Sequence, residues 1–540
     1  MDLLHRGELL VAILLAMVTL TAVSRRLLVP YPIVLVLGGL VLGLLPGVPD
    51  LQLDPGLVFL VFLPPILWSA AYGTSLREFK DHLRPILQLA FGLVIATTLA
   101  VGAAAHALLP GIGWPAALAL GAIVSPPDAV AATAIARRLG LPHRVVAILE
   151  GESLVNDASA LILYRTAVVA AVAGTFNLGA TAGLFALSTV GGILIGVLVA
   201  SATIELMRRQ RDSFSEIGLS LIAPYAAWLM AEHLGASSVL ACVSGGMYLR
   251  QHFSLVAEPA TRVQIRAVWQ QLVFLLNGVV FILIGLQVGI LRETVLSGRM
   301  GTLLLQGLIV SAVAIVVRLV WVPLAILVPA RVLRGPAGQE ALPARQVFLI
   351  GWTGLRGVVS LAAALALPLA VQSGQPFPYR AEIVVIAFVV ILVTLVLQGL
   401  TLPPLVRRLR MPKEILHERE EAHARVHAAT AALERLDRAT GGPGLSVEVV
   451  GRLREVYAER LRRLRRTDGN DRTYGDEEAA VRRLRAELLL AERRALVELR
   501  DREVIGDEVL SRLEHELNLE AMRAGLGEAL VGPATTPRPR

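Results

Sequence analysis

The sequence predicts an all-α polytopic membrane protein. About thirteen transmembrane helices form two inverted six-helix repeats with discontinuous helices, followed by a C-terminal cytoplasmic helical tail. Three observations carry this reading. Of 540 residues, 55% are hydrophobic and only 17% charged, with mean hydropathy +0.65, which lies outside the usual composition of a soluble domain. Apolar runs long enough for a hydrocarbon core of roughly 30 Å fall near 8–23, 31–45, 57–72, 86–109, 114–136, 145–173, 180–207, 216–232, 236–249, 268–290, 301–329, 346–370 and 381–405. The connecting segments alternate in charge, and the alternation fits that number of spans.

Alternate segments hold Arg25 and Arg26; Arg77, Lys80 and Arg84; Arg137, Arg138 and Arg144; Arg208, Arg209 and Arg211; Arg250, Arg262 and Arg266; and Arg331, Arg334 and Arg345. The intervening segments hold only Arg6, Arg292, Arg299 and Arg380. By the positive-inside rule the first set is cytoplasmic, the N-terminus is outside and the C-terminal tail is inside a cell membrane. The net charge of +8 is thus a matter of topology and not of nucleic-acid binding. The first apolar run has no small-residue cleavage site and reads as a retained span. The single cysteine, Cys242, excludes an intramolecular disulfide and reads as a small buried hydrophobe.

In chain order, Gly38, Gly39 and Gly43 in span 2 suit close helix contact. Pro64-Pro65 in span 3 predicts a break. In span 5, Ser125-Pro126-Pro127-Asp128 removes two backbone donors and must interrupt the helix, freeing carbonyls; interrupted backbone in a membrane survives where it is buried in protein or lines a watery cavity. Span 6 carries Gly151-Glu152-Ser153-Leu154-Val155-Asn156-Asp157 inside an apolar run. Ionisable groups in such a place are costly and mark function. On a helix, Ser153 and Asp157 share one stripe, and Glu152 and Asn156 the next. Counted from opposite ends of their spans, Asp128 lies about 21 Å and Asp157 about 18 Å along the helix axis, so both carboxylates reach a similar depth.

Span 12 carries Gly351-Trp352-Thr353-Gly354-Leu355-Arg356-Gly357, a second interruption with Gly354 and Gly357 at its centre, in the same ordinal place of the second half as Pro126-Pro127 in the first. Paired interruptions of this kind point to an inverted-repeat transporter with a cation site at the breaks. Arg318 in span 11 needs a partner, and Glu152 is the candidate, with Arg356 as the alternative cation. Asn277, Gln287 and Gln398 suit interhelical hydrogen bonds, and Arg165 is expected to snorkel at the outer end of span 6. The tail reads as charged amphipathic helices broken at 441–444, 468–470 and Gly506. Residues 1–406 form the membrane domain, 407–531 a helical regulatory or assembly region, and 532–540 a disordered end. The sequence has no metal-spaced Cys/His set, P-loop or dinucleotide fingerprint, so no cofactor is expected beyond transported Na+ and H+, and no enzyme activity.

Glu150-Gly151-Glu152-Ser153-Leu154-Val155-Asn156-Asp157, Ser125-Pro126-Pro127-Asp128-Ala129-Val130 and Gly354-Leu355-Arg356-Gly357 together resemble the monovalent cation/proton antiporters, in their sodium/proton exchanger branch with an Asn-Asp pair. The likeness covers residues 8–405. It implies a homodimer, with spans 1–3 and 7–10 as dimer scaffold and spans 4–6 and 11–13 as a moving core. It implies that Asp157 binds Na+ or a proton in turn, that Asn156 supports it, and that Ser153 and Asp128 complete the ion site, Asp128 directly or through water. It also implies the Glu152–Arg318 ion pair. One departure stands out: many relatives carry an acid after the two prolines of span 3, where this chain has Ser69. The expected activity is electroneutral one-for-one exchange of cytoplasmic Na+, with K+ or Li+ as alternatives, for external H+, serving pH and sodium homeostasis. Two rivals share the pattern: a cation channel, and an intramembrane aspartyl protease, whose Gly-x-Gly-Asp motif neither Asp128 nor Asp157 has.

Overall fold

A computed structural model describes residues 3–27, 29–45, 55–128, 132–133, 135–136, 139–173, 178–210, 212–256, 259–287, 300–332, 342–372, 374–410, 415–439, 447–466, 472–502 and 504–523. Among these residues the chain is helical, with one isolated β-bridge between Ala370 and Pro376. It divides into two compact units, Met1–Lys413 and Glu414–Arg540.

The first unit contains α1 (Leu3–Leu27), α2 (Tyr31–Leu44), α3 (Pro55–Gly73), α4 (Leu83–Leu108), α5 (Trp114–Val124), α6 (His143–Ala173), α7 (Leu178–Gln210), α8 (Ser213–His233), α9 (Ser238–Val256), α10 (Pro259–Leu286), α11 (Met300–Val332), α12 (Ala344–Trp352), α13 (Val358–Leu365) and α14 (Arg380–Leu409). Among the described residues, nine helices are long and apolar enough to cross a membrane. The other four expected spans fall on α2 and α5, which are shorter apolar helices, on α9, and on the interrupted pair α12 and α13.

Helix α3 departs from expectation. Pro64-Pro65 does not break it: a π-helical turn at Val58–Phe62 runs directly into Leu63–Gly73. The wider turn gives room where the proline rings would meet the carbonyls four residues back. Helix α14 also runs on through a proline pair, Pro403-Pro404, with a π turn at Thr394–Gln398 ahead of it. A second correction concerns Arg262 and Arg266, which the apolar run places in a loop before residue 268. They lie within α10, whose first turns are amphipathic and so escape a search for apolar runs.

Helix packing relies on small residues, as expected where lipid gives helices little hydrophobic reason to associate. Helix α2 lies along α10, and α7 along α9. A Cβ on Gly39 would collide with the carbonyl of Ile282, and one on Gly285 with the backbone of Val36 and Leu40, so the two backbones touch there. Among the described residues three hydrophobic clusters fill the unit, and α6 and α13 each place buried side chains in all three. The polar stretch of α6 and the start of α13 therefore stand at the junction of the whole bundle.

Two polar expectations change. The side chain of Gln398 is buried with no hydrogen-bond partner among the described residues. Arg165 is exposed but not alone: it pairs with Glu232 at 3.1 Å, and Ser238 Oγ donates to the same carboxylate at 2.7 Å. Cys242 is fully buried, its thiol 3.5 Å from the Pro224 carbonyl.

Among its described residues the second unit has four helices, α15 (Ile415–Ala439), α16 (Val447–Arg466), α17 (Arg472–Asp501) and α18 (Asp507–Arg523). Helix α15 packs on α16 and α17 on α18. Its apolar contacts are few, centred on Ala486, Leu489 and Ala521, and its ion pairs, such as Arg454–Asp437 and Arg493–Glu514, are exposed. The expected disordered end, 532–540, lies outside the described residues.

Candidate functional site

The site is built where two helices stop. Helix α5 ends at Val124 because Pro126 and Pro127 have no N–H to donate to the carbonyls of its last turn. Ser125 fills part of the deficit: its hydroxyl and its amide both donate to the Ala122 carbonyl, at 2.9 and 3.4 Å. The next free amide, on Asp128, would have closed the helix on Val124. Instead it donates across the bundle to the Leu355 carbonyl at 2.6 Å.

The second break supplies the reciprocal bond. Helix α12 ends at Trp352 and α13 begins at Val358, leaving 353–357 without helical structure. Arg356 Nε donates to the Val124 carbonyl at 2.8 Å, the acceptor Asp128 had left, and Nη1 donates to the Gly354 carbonyl. The Arg356 amide donates to Thr394 Oγ1 at 3.1 Å. Each interruption thus satisfies backbone groups of the other, and a fixed positive charge sits at the C-terminal end of α5, where the helix dipole favours a cation. Arg356, one of two cations proposed for Glu152, spends its donors on carbonyls.

Arg318 is the partner of Glu152. Its Nη1 and Nη2 reach the two carboxylate oxygens at 2.5 and 2.8 Å, and Nε and Nη2 also donate to the Ile350 carbonyl at 3.3 and 3.2 Å. Both side chains are 1% exposed. The pair ties α6 to α11 and to the last turn of α12.

Beside it lies a cavity of about 900 Å³ whose walls include Asp157, Asp128, Ser153, Ser69 and Gly357. Asp157 is 6% exposed, and Asp128 and Ser153 are half-buried. Asn156, fully buried, turns away from the cavity wall: its Nδ2 donates to the Pro127 carbonyl at 3.3 Å and so holds α6 against the break in α5. Gly357 is required where it stands, since any Cβ would overlap the Asp128 carboxylate. The carboxylate accordingly rests against the N-terminus of α13, the favourable end of that helix for an anion. Farther out, the cavity is lined by Glu150, Arg250, Arg262 and Arg266, and Arg250 donates to the Tyr72 carbonyl at 2.8 Å and to that of Gly73.

The structure thus gathers Asp128, Ser153 and Asp157 on one cavity, with Asn156 and the Glu152–Arg318 pair behind it. Sequence reasoning passed over Ser360, also on the cavity wall, although it is the one hydroxyl in α13. It also left Thr394 and the mutual bonding of the two breaks unread. Among the described residues there is no cluster of three or more His, Cys, Asp or Glu that would hold a resident metal ion. What the arrangement offers is a small set of oxygens, two of them carboxylates, in a space large enough for a hydrated monovalent cation.

Comparison with known proteins bears on the family and the fold. The chain is 38% identical over 533 residues to an uncharacterised Na+/H+ exchanger of Mycobacterium tuberculosis, covering 95% of each. It is 32% identical over 545 residues to the uncharacterised Na+/H+ exchanger YjcE of Escherichia coli K12, covering 94% of this chain and 97% of that one. The sodium proton antiporter MjNhaP1 of Methanocaldococcus jannaschii has a similar fold, with a TM-score of 0.59 at 18% identity over 76% of this chain and 99% of its own. The profile for the sodium/hydrogen exchanger transmembrane region matches residues 12–408, and the chain belongs to that family of multi-pass membrane transporters.

Proposed function

We propose that the protein exchanges cytoplasmic Na+ for external H+ one for one, without net charge movement, through alternate occupancy of Asp157 by the cation or the proton. The observation that carries the proposal is the shared cavity, which joins Asp157 to Asp128 and Ser153 at the interrupted helices. A proton and a cation that need the same carboxylate oxygens exclude each other, and a site that must be occupied by one or the other couples their movements. Asn156, neutral beside Asp157, carries no second proton, hence the one-for-one ratio. Asp128 binds the cation directly or through water, and Ser153 adds a neutral oxygen. The Glu152–Arg318 pair is structural.

K+ and Li+ are further substrates in this reading. A relative in Bacillus subtilis, 29% identical over 526 residues, is named a sodium, potassium, lithium and rubidium/H+ antiporter, and Ser69 leaves the site with fewer fixed negative charges than an acid there would. Transport proceeds by rocking of a core of spans 4–6 and 11–13 against a dimeric scaffold of spans 1–3 and 7–10. The N-terminus is outside and the tail cytoplasmic. The test is Asp157→Asn in proteoliposomes under an imposed pH gradient. Loss of Na+ uptake with normal folding is expected, and retained pH-driven Na+ uptake would remove Asp157 from the mechanism.

A further inference from the structure

Ser360 is a cavity-wall residue whose hydroxyl none of the readings above uses. It is 1% exposed, its Oγ has no hydrogen-bond partner among the described residues, and it lines the cavity that holds Asp128, Ser153 and Asp157. A buried hydroxyl without a partner is expensive, because it has given up water and gained nothing in return. Most buried serines of this bundle avoid that cost by bonding a carbonyl of the preceding turn, as Ser311 does to Gly307 at 2.6 Å and Ser220 to Ile217 at 2.7 Å. The carbonyl three residues before Ser360 is that of Gly357, which receives the Leu361 amide at 3.4 Å. Ser360 makes no such bond, and its oxygen is left without a partner among the described residues, buried behind the cavity wall that the residue helps to form.

Its place in the fold gives that oxygen a use. Ser360 stands one helical turn beyond Gly357, the residue against which the Asp128 carboxylate rests. It therefore enters the site from the second half of the chain, while Asp128, Ser153 and Asp157 all come from the first. Hard monovalent cations shed water only in exchange for several oxygens, and neutral hydroxyl and carbonyl oxygens supply coordination without adding charge.

We propose that Ser360 Oγ is a direct ligand of the transported cation, completing an oxygen set with Asp157, Asp128 and Ser153. This rests on the exchange reading above and goes beyond it by naming a ligand from the second repeat. A cation held by both halves is bound only while the two interrupted segments are crossed. Protonation of Asp157 needs no oxygen from Ser360, so the hydroxyl acts on the cation limb of the cycle alone.

The experiment is initial-rate exchange in proteoliposomes for wild type, Ser360→Ala, Ser360→Thr and Asp157→Asn, over a range of Na+, Li+ and K+ concentrations. Ser360→Ala should raise the KM for Na+ about tenfold, the scale of one lost oxygen contact to a charged group, with the maximal rate kept. Ser360→Thr, which retains the hydroxyl, should restore the wild-type KM, and the three KM values should not change in parallel in Ser360→Ala. An unchanged KM in Ser360→Ala, or a fall in maximal rate at constant KM, would overturn the assignment. If Ser360→Ala does not fold, a Ser360→Cys variant that folds and keeps the wild-type KM would also overturn it, since sulfur is a poor ligand for these ions. Asp157→Asn separates the two levels: its continued activity defeats the exchange reading, whereas an inactive Asp157→Asn beside an unaffected Ser360→Ala defeats only the ligand assignment.

Discussion

Removing Glu152 should unfold this protein more readily than removing Arg318, and the structure says why. In Glu152→Gln, Arg318 exchanges two charge-assisted bonds, at 2.5 and 2.8 Å, for a single neutral bond to the amide oxygen, and keeps the Ile350 carbonyl at 3.2 and 3.3 Å. The Arg356 guanidinium is close by, for a Cβ on Gly354 would touch both arginines. The substitution therefore leaves two buried cations and no anion. Breaking a buried pair by deleting one partner costs about 3–5 kcal/mol, and the second arginine puts this case toward the upper end. Arg318→Leu instead leaves the Glu152 carboxylate with Arg356 as a neighbouring cation, which softens the loss. The double variant removes both charges of the pair and should lie between wild type and Glu152→Gln. The chain provides its own probe, since Cys242 is the single cysteine and is fully buried, so a thiol-reactive coumarin maleimide fluoresces only as the bundle opens. Apparent melting temperatures in detergent should rank wild type, then the double variant and Arg318→Leu, then Glu152→Gln several degrees lower. A Glu152→Gln melt within one degree of wild type, or a double variant that shows the sum of the two single losses, would refute the reasoning.

Other outcomes follow from the same geometry. Gly357→Ala drives a methyl into the Asp128 carboxylate and should raise the cation KM in vesicle flux more than it lowers the melting temperature. Asn156→Ala removes the bond to the Pro127 carbonyl; a loss of about 1 kcal/mol should appear as a lower melting temperature together with slower exchange. If cation and proton share one carboxylate, the logarithm of the apparent KM for Na+ should rise by one for each unit of acidification in the acid limb, and valinomycin with K+ should leave the Na+ rate unaltered; a slope near two, or acceleration by valinomycin, would exclude one-for-one exchange. At the start of α8, outside the membrane-spanning segments, the amide and hydroxyl of Ser215 hold the exposed Asp212 carboxyl below its ordinary value. A carboxyl lowered on folding stabilises above its unfolded pKa, about 3.9 for Asp, and that contribution is lost as pH falls through the folded value. The melting-temperature gap between wild type and Asp212→Asn should thus be full near neutrality and close in acid.

The legible part of the site was the part written as chemical contrast. Glu152, Asn156, Asp157 and Arg318 stand out in apolar runs because lipid makes such residues costly, and Pro126-Pro127 announces its break through two missing donors. Pro64-Pro65 carries the same signal and yields a continuous helix, because a π turn just ahead of it makes room for the rings, and no residue pattern announces that turn. Arg262 and Arg266 were misread for a different reason, since a helix can extend beyond its apolar run on an amphipathic face. The bonds from Arg356 to Val124 and from Asp128 to Leu355 were illegible, as they join segments more than two hundred residues apart through carbonyls that have no sequence signature. Ser360 was hidden because one serine in an apolar helix is unremarkable until the cavity beside it is seen.

The reciprocal bonds between the two breaks also constrain how the chain is made. When residues 114–173 have been synthesised and inserted, the Val124 carbonyl and the Asp128 amide have as yet no Leu355 and no Arg356 to meet. In hydrocarbon such groups cannot stay unsatisfied, so the first half must wait with its break sheltered in some other way. Assembly of the ion pathway is therefore a late event in biogenesis, timed by arrival of the second repeat, and a chain truncated before residue 353 should insert its early helices yet remain a target for quality control.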